Sequence, residues 1–304
     1  MPKKKMFIHV GPTKTGSTFI QSYLVRSSQA SGSKIYYPIE GRFADKEPFA
    51  RRAGGEIYSG SGTLSNHLGI FWGLIGALTS HLIDDLITDL VNECVGVEQD
   101  IIVLSCEGFS FFGVEQVDRL LQRLCEFDVK VIYFYRDPLH RSQSVYFERI
   151  RTGDEVDSFS AFLSNAKEPI FIEKAIENAW ATAGESNIYR LDFGTGENLL
   201  EIFFEILDEP LLGSIELEGE QLERNERFGQ STLKLILLLN RIQHWNSRKF
   251  KSRLTYLLCV NTKHWVENVK LVRVILSPLA VLLMPAPLIN EATLEHLRQL
   301  ASLE

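Results

Sequence analysis

The sequence predicts an α/β protein built on an open parallel sheet with helices on both faces. Four short runs, residues 6–10, 101–105, 130–135 and 187–191, are apolar on both faces and rich in β-branched or aromatic residues, as strands buried between two helical layers must be. The segments between them carry apolar residues at three- and four-residue spacing, the stripe of a helix that packs one side on a core. Strands and helices alternate along the chain, and right-handed crossovers turn that order into a parallel sheet covered above and below.

Taken in order, the first strand runs into Gly11-Pro12-Thr13-Lys14-Thr15-Gly16-Ser17-Thr18, and an apolar helix over 18–26 opens from that turn. Helices are expected over 78–94 and 114–127. A further helix, 138–150, begins with Pro138 in its first turn, where a missing N–H costs nothing. Later helices are expected over 171–183, 199–207, 231–245 and 291–301. Segments 31–65 and 209–227 are rich in Gly, Pro and charge and read as long irregular loops over the site. No linker composition interrupts the chain, so a single domain over 1–304 is expected, with a core of about 6–240 and a helical extension of about 245–304.

Hydrophobic residues make up 45% of the 304 residues and charged residues 23%, enough for a packed core. The net charge of −7 argues against nucleic acid as a main partner, because a duplex binder needs a basic face to displace counterions. Basic residues cluster locally at Lys3 to Lys5, at Arg51 and Arg52, and across Arg241, Arg248, Lys249, Lys251 and Arg253. The last group is able to face an acidic acceptor or a membrane surface. Cys94, Cys106, Cys125 and Cys259 lack CxxC spacing and lie among apolar neighbours, as buried thiols of a reducing compartment do. The apolar run after the N-terminal lysines is too short for a signal peptide. The stretch 274–289, interrupted by Pro278, Pro285 and Pro287, is too short for a span of ~20 residues. A cytoplasmic protein is expected, with at most weak membrane-surface contact near the C-terminus.

The strongest chemical signal is the turn from Gly11 to Thr18. A buried strand, a Gly-containing turn and a helix N-terminus aim backbone N–H groups and the helix dipole at one point, which is an anion site. Lys14 adds a mobile cation, and Ser17 and Thr18 add hydroxyl donors. The arrangement is P-loop-like without being the triphosphatase loop, whose lysine follows the second glycine; here Ser17 follows Gly16 and Lys14 precedes it by two residues. A second signal lies in VKVIYFYRDPLHRSQSVYFER, 129–149. Arg136 stands at the carboxyl end of a strand, where ligands of open α/β sheets bind and where a bidentate phosphate contact is useful. Ser144, eight residues on, lies about two helical turns along and is able to share that anion.

Lys14-Thr15-Gly16-Ser17-Thr18 resembles the 5′-phosphosulfate loop of sulfotransferases that use 3′-phosphoadenosine 5′-phosphosulfate (PAPS), particularly bacterial and glycan-modifying members. Arg136 and Ser144, followed by Val145, Tyr146 and Phe147, are similar to that family's 3′-phosphate signature. The likeness is specific in these two motifs and loose elsewhere over 6–240. It includes Ala179-Trp180, the NIYRLDF run, the helix 199–207 and the stretch 225–240. The resemblance implies that Lys14 contacts the bridging oxygen that leaves, that Thr15, Gly16, Ser17 and Thr18 hold the 5′ phosphate, and that Arg136 and Ser144 hold the 3′ phosphate. It implies PAPS as donor substrate, no metal, and an acceptor hydroxyl or amine, the glycan-like motifs favouring a carbohydrate or glycolipid.

In-line transfer requires a base for the acceptor proton, and the family uses histidine or glutamate. Three residues qualify: Glu107, at the carboxyl end of the strand 101–105; His67, within the irregular stretch; and Glu40, shortly after the loop helix. The sequence leaves the choice open. The other histidines, His9, His81, His140, His244, His264 and His296, show no HxxxH or HExxH spacing and give metal-dependent chemistry little support. Two other readings compete: a P-loop kinase or NTPase, disfavoured by the lysine position, and a nucleotide-binding protein of the same fold without turnover.

Overall fold

The computed structural model describes residues 2–42, 66–77, 80–165, 172–193, 199–210, 230–249 and Leu288. The helix expected over 291–301, most of both long loops, Arg51, Arg52, Lys251, Arg253 and Cys259 lie outside the described residues. The chain divides into two compact units, Met1–Arg136 with Phe171–Gln221, and Asp137–Ile170 with Leu222–Glu304.

The first unit holds five strands, β1 (Lys5–His9), β2 (Ile35–Tyr36), β3 (Ile101–Ser105), β4 (Asp128–Tyr135) and β5 (Ile188–Asp192), in the order β2-β3-β1-β4-β5. Every pair is parallel: β1 runs from Lys5↔Ile101 to His9↔Ser105 against β3, and from Lys5↔Asp128 to His9↔Ile132 against β4. All five carboxyl ends therefore share one edge, and the residues that follow them are brought together there.

Side chains alternate across a pleated strand, so each strand feeds two cores. Met6, Ile8, Ile102, Leu104, Val131 and Tyr133 pack on one side with α3 (Ser80–Gly96), α4 (Val114–Arg123) and α7 (Ile172–Trp180). Phe7, Val103, Ile132 and Phe134 pack on the other with α1 (Ser17–Gln29) and α8 (Leu199–Leu207). The helices bury the stripes that their spacing requires, such as Ile83, Leu86, Ile87, Leu90 and Cys94 of α3, and Leu200, Phe203, Phe204 and Leu207 of α8. Each such side chain contributes about 1.5–3 kcal/mol by leaving water. Trp180, fully buried at the end of α7, also donates its indole N–H to the Phe109 carbonyl at 3.4 Å.

The predicted parallel sheet with helices on both faces is thus present, and its strands and helices fall within a few residues of the sequence expectation. Not foreseen were the two-residue β2, the short α2 (Leu68–Trp72) with the π-turn Gly73–Ala77 that follows, the 3-10 turns Glu107–Phe111 and Glu185–Asn187, and the six-residue helix Phe159–Ser164. Cys94 and Cys106 are buried as expected, and burial raises both thiols to about 12, whereas Cys125 is exposed. Among the described residues no helix is long and apolar enough to cross a membrane.

The second unit contains α5 (Pro138–Thr152), α6 (Phe159–Ser164) and α9 (Gln230–Lys249) around Tyr146, Ile150, Phe159, Phe162, Leu233, Ile236 and Leu237. Asp137 caps α5 by accepting from the His140 N–H at 3.0 Å, with Pro138 in the first turn. Asn240 of α9 ties the helices together, its amide donating to the carbonyls of Ile150 at 2.8 Å and Glu155 at 3.1 Å.

Candidate functional site

The carboxyl edge of the sheet gathers Glu40 beyond β2, Glu107 beyond β3, the loop Gly11–Gly16 beyond β1, Arg136 beyond β4 and Phe193 beyond β5. The loop leaves β1 with the Val10 N–H donating to the Ile132 carbonyl at 3.0 Å, so the sheet ladder continues to its threshold. Gly11, at φ +87°, lies against Glu107: a Cβ there would stand 3.1 Å from the Glu107 Cα and 3.4 Å from its carbonyl oxygen. That close approach seats Glu107 beside the first residue of the loop.

Lys14 adopts φ +65°, a left-handed conformation uncommon outside glycine, and Thr15 donates its hydroxyl to the Pro12 carbonyl at 2.6 Å. Gly16, at φ +79°, is the N-cap of α1 and supplies no side-chain cap. The first turn of α1 contains no acidic residue, so the positive end of the helix dipole is not neutralised within it. Ser17 is buried, and among the described residues its Oγ has no hydrogen-bond partner; the Thr13 hydroxyl is likewise buried and unpartnered among them. Buried hydroxyls are nearly always satisfied, and two unsatisfied ones in an amide-lined cationic loop suit an anion with several acceptor oxygens.

Arg136 joins this loop directly. Its Nη1 donates to the Lys14 carbonyl, and its guanidinium lies 5.0 Å from the Phe193 ring centroid. Lys14, Thr15, Gly16, Ser17 and Arg136 are therefore brought together within one unit. Ser144 belongs to the second unit, where its hydroxyl donates to the His140 carbonyl at 2.9 Å. Thr18 is exposed at the start of α1.

The three base candidates occupy different settings. Glu107 is half-buried at the start of the 3-10 turn, one residue past the point where the Cys106 N–H donates to the His9 carbonyl at 3.1 Å. Glu40 is also half-buried, and its backbone N–H donates to the Glu93 carboxylate at 2.9 Å. His67 is completely buried. Its Nδ1 accepts from the Ser105 N–H at 3.1 Å, its Nε2 lies 3.2 Å from the Pro38 carbonyl, and its own N–H donates to the Ser105 carbonyl at 2.9 Å. Burial, reinforced by the positive charge of Arg42, lowers its pKa to about 3. The neutral ring thus replaces a neighbouring strand at the end of β3, where β2 has already stopped.

A buried polar group beneath the loop was not foreseen. His9, the last residue of β1, places Nδ1 2.8 Å from the Ser105 Oγ, which also accepts from the Gln21 amide of α1 at 3.0 Å. The His9 ring stands edge-on to Phe134 and Phe203, and burial lowers its pKa to about 3. The sequence signal for this group was a histidine and a serine at matched positions in otherwise apolar strands.

No family model and no curated protein matches the sequence. Among solved structures, the chain is similar to a sulfotransferase from Alicyclobacillus acidocaldarius, with 18% identity, a TM-score of 0.43 and coverage of 83% of this chain and 98% of that one. It is similar to the sulfotransferase domain from the curacin biosynthetic pathway, with 15% identity, a TM-score of 0.33 and coverage of 69% and 75%. It is also similar to mouse sulfotransferase SULT7A1 complexed with PAP, with 11% identity, a TM-score of 0.34 and coverage of 83% and 69%.

Proposed function

We propose that the chain is a sulfotransferase that moves a sulfuryl group from PAPS to an acceptor hydroxyl or amine. The observation that carries this reading is the loop itself: Lys14 and Arg136 joined through a backbone carbonyl, next to a helix N-terminus and two buried hydroxyls that have no partner among the described residues. A nucleotide with phosphates at both ends suits two cations presented side by side. The loop amides and Ser17 take the 5′ phosphate, and the Arg136 guanidinium takes the 3′ phosphate. Ser144, eight residues beyond Arg136 in sequence, is proposed as a further phosphate contact on the strength of that spacing.

In the transfer, the acceptor oxygen or nitrogen forms a bond to sulfur as the bond from sulfur to the bridging phosphate oxygen breaks. Lys14 stabilises the charge that develops on the leaving oxygen. Glu107 takes the acceptor proton, since it is half-buried at the sheet edge beside Gly11. His67, held neutral with both ring nitrogens directed at backbone, positions the end of β3 from which Glu107 projects. Positioning and charge stabilisation supply the rate, with no covalent intermediate. A carbohydrate or glycolipid is the proposed acceptor class, and a cytoplasmic location is proposed with it.

The test is transfer of a radiolabelled sulfuryl group from PAPS to glycans, phenols and amines. Label on an acceptor with wild-type protein, lost with Lys14→Ala, supports the reading. Tight nucleotide binding without transfer to any of the three classes points to a binding protein of the same fold.

A further inference from the structure

Phe193 follows the last strand of the sheet and touches both halves of the loop site. Its N–H donates to the Tyr135 carbonyl at 2.7 Å, which ties the end of β5 to the residue before Arg136. Its ring lies beneath the Arg136 guanidinium, 5.0 Å from centroid to carbon. The same ring comes within 3.5 Å of the point a Gly16 Cβ would occupy, at the N-cap of α1. Arg136, so supported, donates to the carbonyl of Lys14, the loop residue at φ +65°.

We propose that Phe193 is a positioning residue: its ring holds the Arg136 guanidinium against the Lys14 carbonyl, and so fixes the left-handed backbone from which the Lys14 ammonium projects. A left-handed lysine is unfavourable in isolation and persists where its surroundings overdetermine it. Arg136 suits the purpose because its planar fork stacks on an aromatic face and donates in plane at the same time, which a lysine is unable to do. Arg136 then has two roles, a phosphate ligand and a brace for Lys14 through Nη1. Its removal disturbs the transferring cation as well as the donor's affinity. For its ligand, this inference rests on the donor reading above.

The experiment compares wild type, Arg136→Ala, Phe193→Leu, Phe193→Tyr and the Arg136→Ala/Phe193→Leu double variant. Two readouts are used, amide hydrogen exchange of loop residues 13–17 without ligand and calorimetric titration with adenosine 3′,5′-bisphosphate. Phe193→Leu should speed loop exchange and weaken the bisphosphate by about three- to tenfold, the size of a partly desolvated cation–π contact. Phe193→Tyr should restore both, and Phe193→Leu should add less than about twofold in the Arg136→Ala background, because the clamp is already gone. An equal effect of Phe193→Leu in both backgrounds would make the residue mere packing and overturn the proposal. So would unchanged exchange and affinity in the single variant while wild type binds the bisphosphate. If the exchange pattern holds but wild type binds no bisphosphate, the clamp stands and the donor reading falls. Should Phe193→Leu not fold, Arg136→Lys probes the same clamp, and unaltered loop exchange in that variant would contradict it.

Discussion

Replacing Gly16 with alanine strikes the loop where a side chain has least room. The backbone there is left-handed, at φ +79°, and an added Cβ would come within 2.4 Å of Leu199 Cδ2. The conformation costs about 1–2 kcal/mol for any residue with a Cβ. Leu199 Cδ2 is the end of a flexible side chain, so it turns aside rather than blocks, at about 0.5–1.5 kcal/mol for a displaced rotamer. Gly16→Ala should therefore lower unfolding stability by about 2–3 kcal/mol, read from urea unfolding with an unchanged slope. In a Leu199→Ala background the steric part disappears and the cost should fall to the backbone part, about 1–2 kcal/mol. Because Gly16 caps the helix proposed to hold the 5′ phosphate, bisphosphate affinity should drop at least about tenfold, in the way that small misplacements at preorganised sites do. A loss below about 0.5 kcal/mol, or one that Leu199→Ala leaves unchanged, would refute this account of the loop backbone.

Other perturbations have equally definite outcomes. His9 and His67 have pKa values near 3 by burial, below the ordinary value of 6.5, so the unfolded chain binds more protons between those limits and stability should fall as pH drops through that window. From pH 7 to 5 each should cost roughly 2 kcal/mol; urea midpoints of His67→Gln should show about half the wild-type loss, and an equal loss would contradict the assigned burial effect. Glu107→Gln should reduce turnover by about 10²- to 10⁴-fold while leaving bisphosphate affinity within about twofold, and a loss confined to affinity would remove it from the proton transfer. Trp180→Ala empties a fully buried site between α7 and the 3-10 turn, and should cost about 3–5 kcal/mol by chemical denaturation.

The sheet was legible because its strands are short apolar runs, and the loop was legible because Gly, Lys and Ser stand at fixed places between a strand and a helix. The two-residue β2 carries too little pattern to separate it from loop, and the 3-10 turn of Glu107 lacks a helical period. That both His67 ring nitrogens face backbone groups was not legible, since residue type alone does not reveal burial or partners. The link from Arg136 to Lys14 joins residues 122 apart in sequence, and such pairings are set by strand order. Phe193 was read only as the last residue of the NIYRLDF run, since a lone aromatic after a strand has no signature until the neighbouring strand ends are known.

The most direct test of the central claim is calorimetric titration of wild type and Arg136→Ala with adenosine 3′,5′-bisphosphate, with ATP as control. The account predicts tight bisphosphate binding by wild type, feeble ATP binding, and a loss of bisphosphate affinity of at least about tenfold in Arg136→Ala, consistent with the loss of a charged hydrogen-bonding group. Preference for ATP, or no binding of either by folded protein, would contradict it.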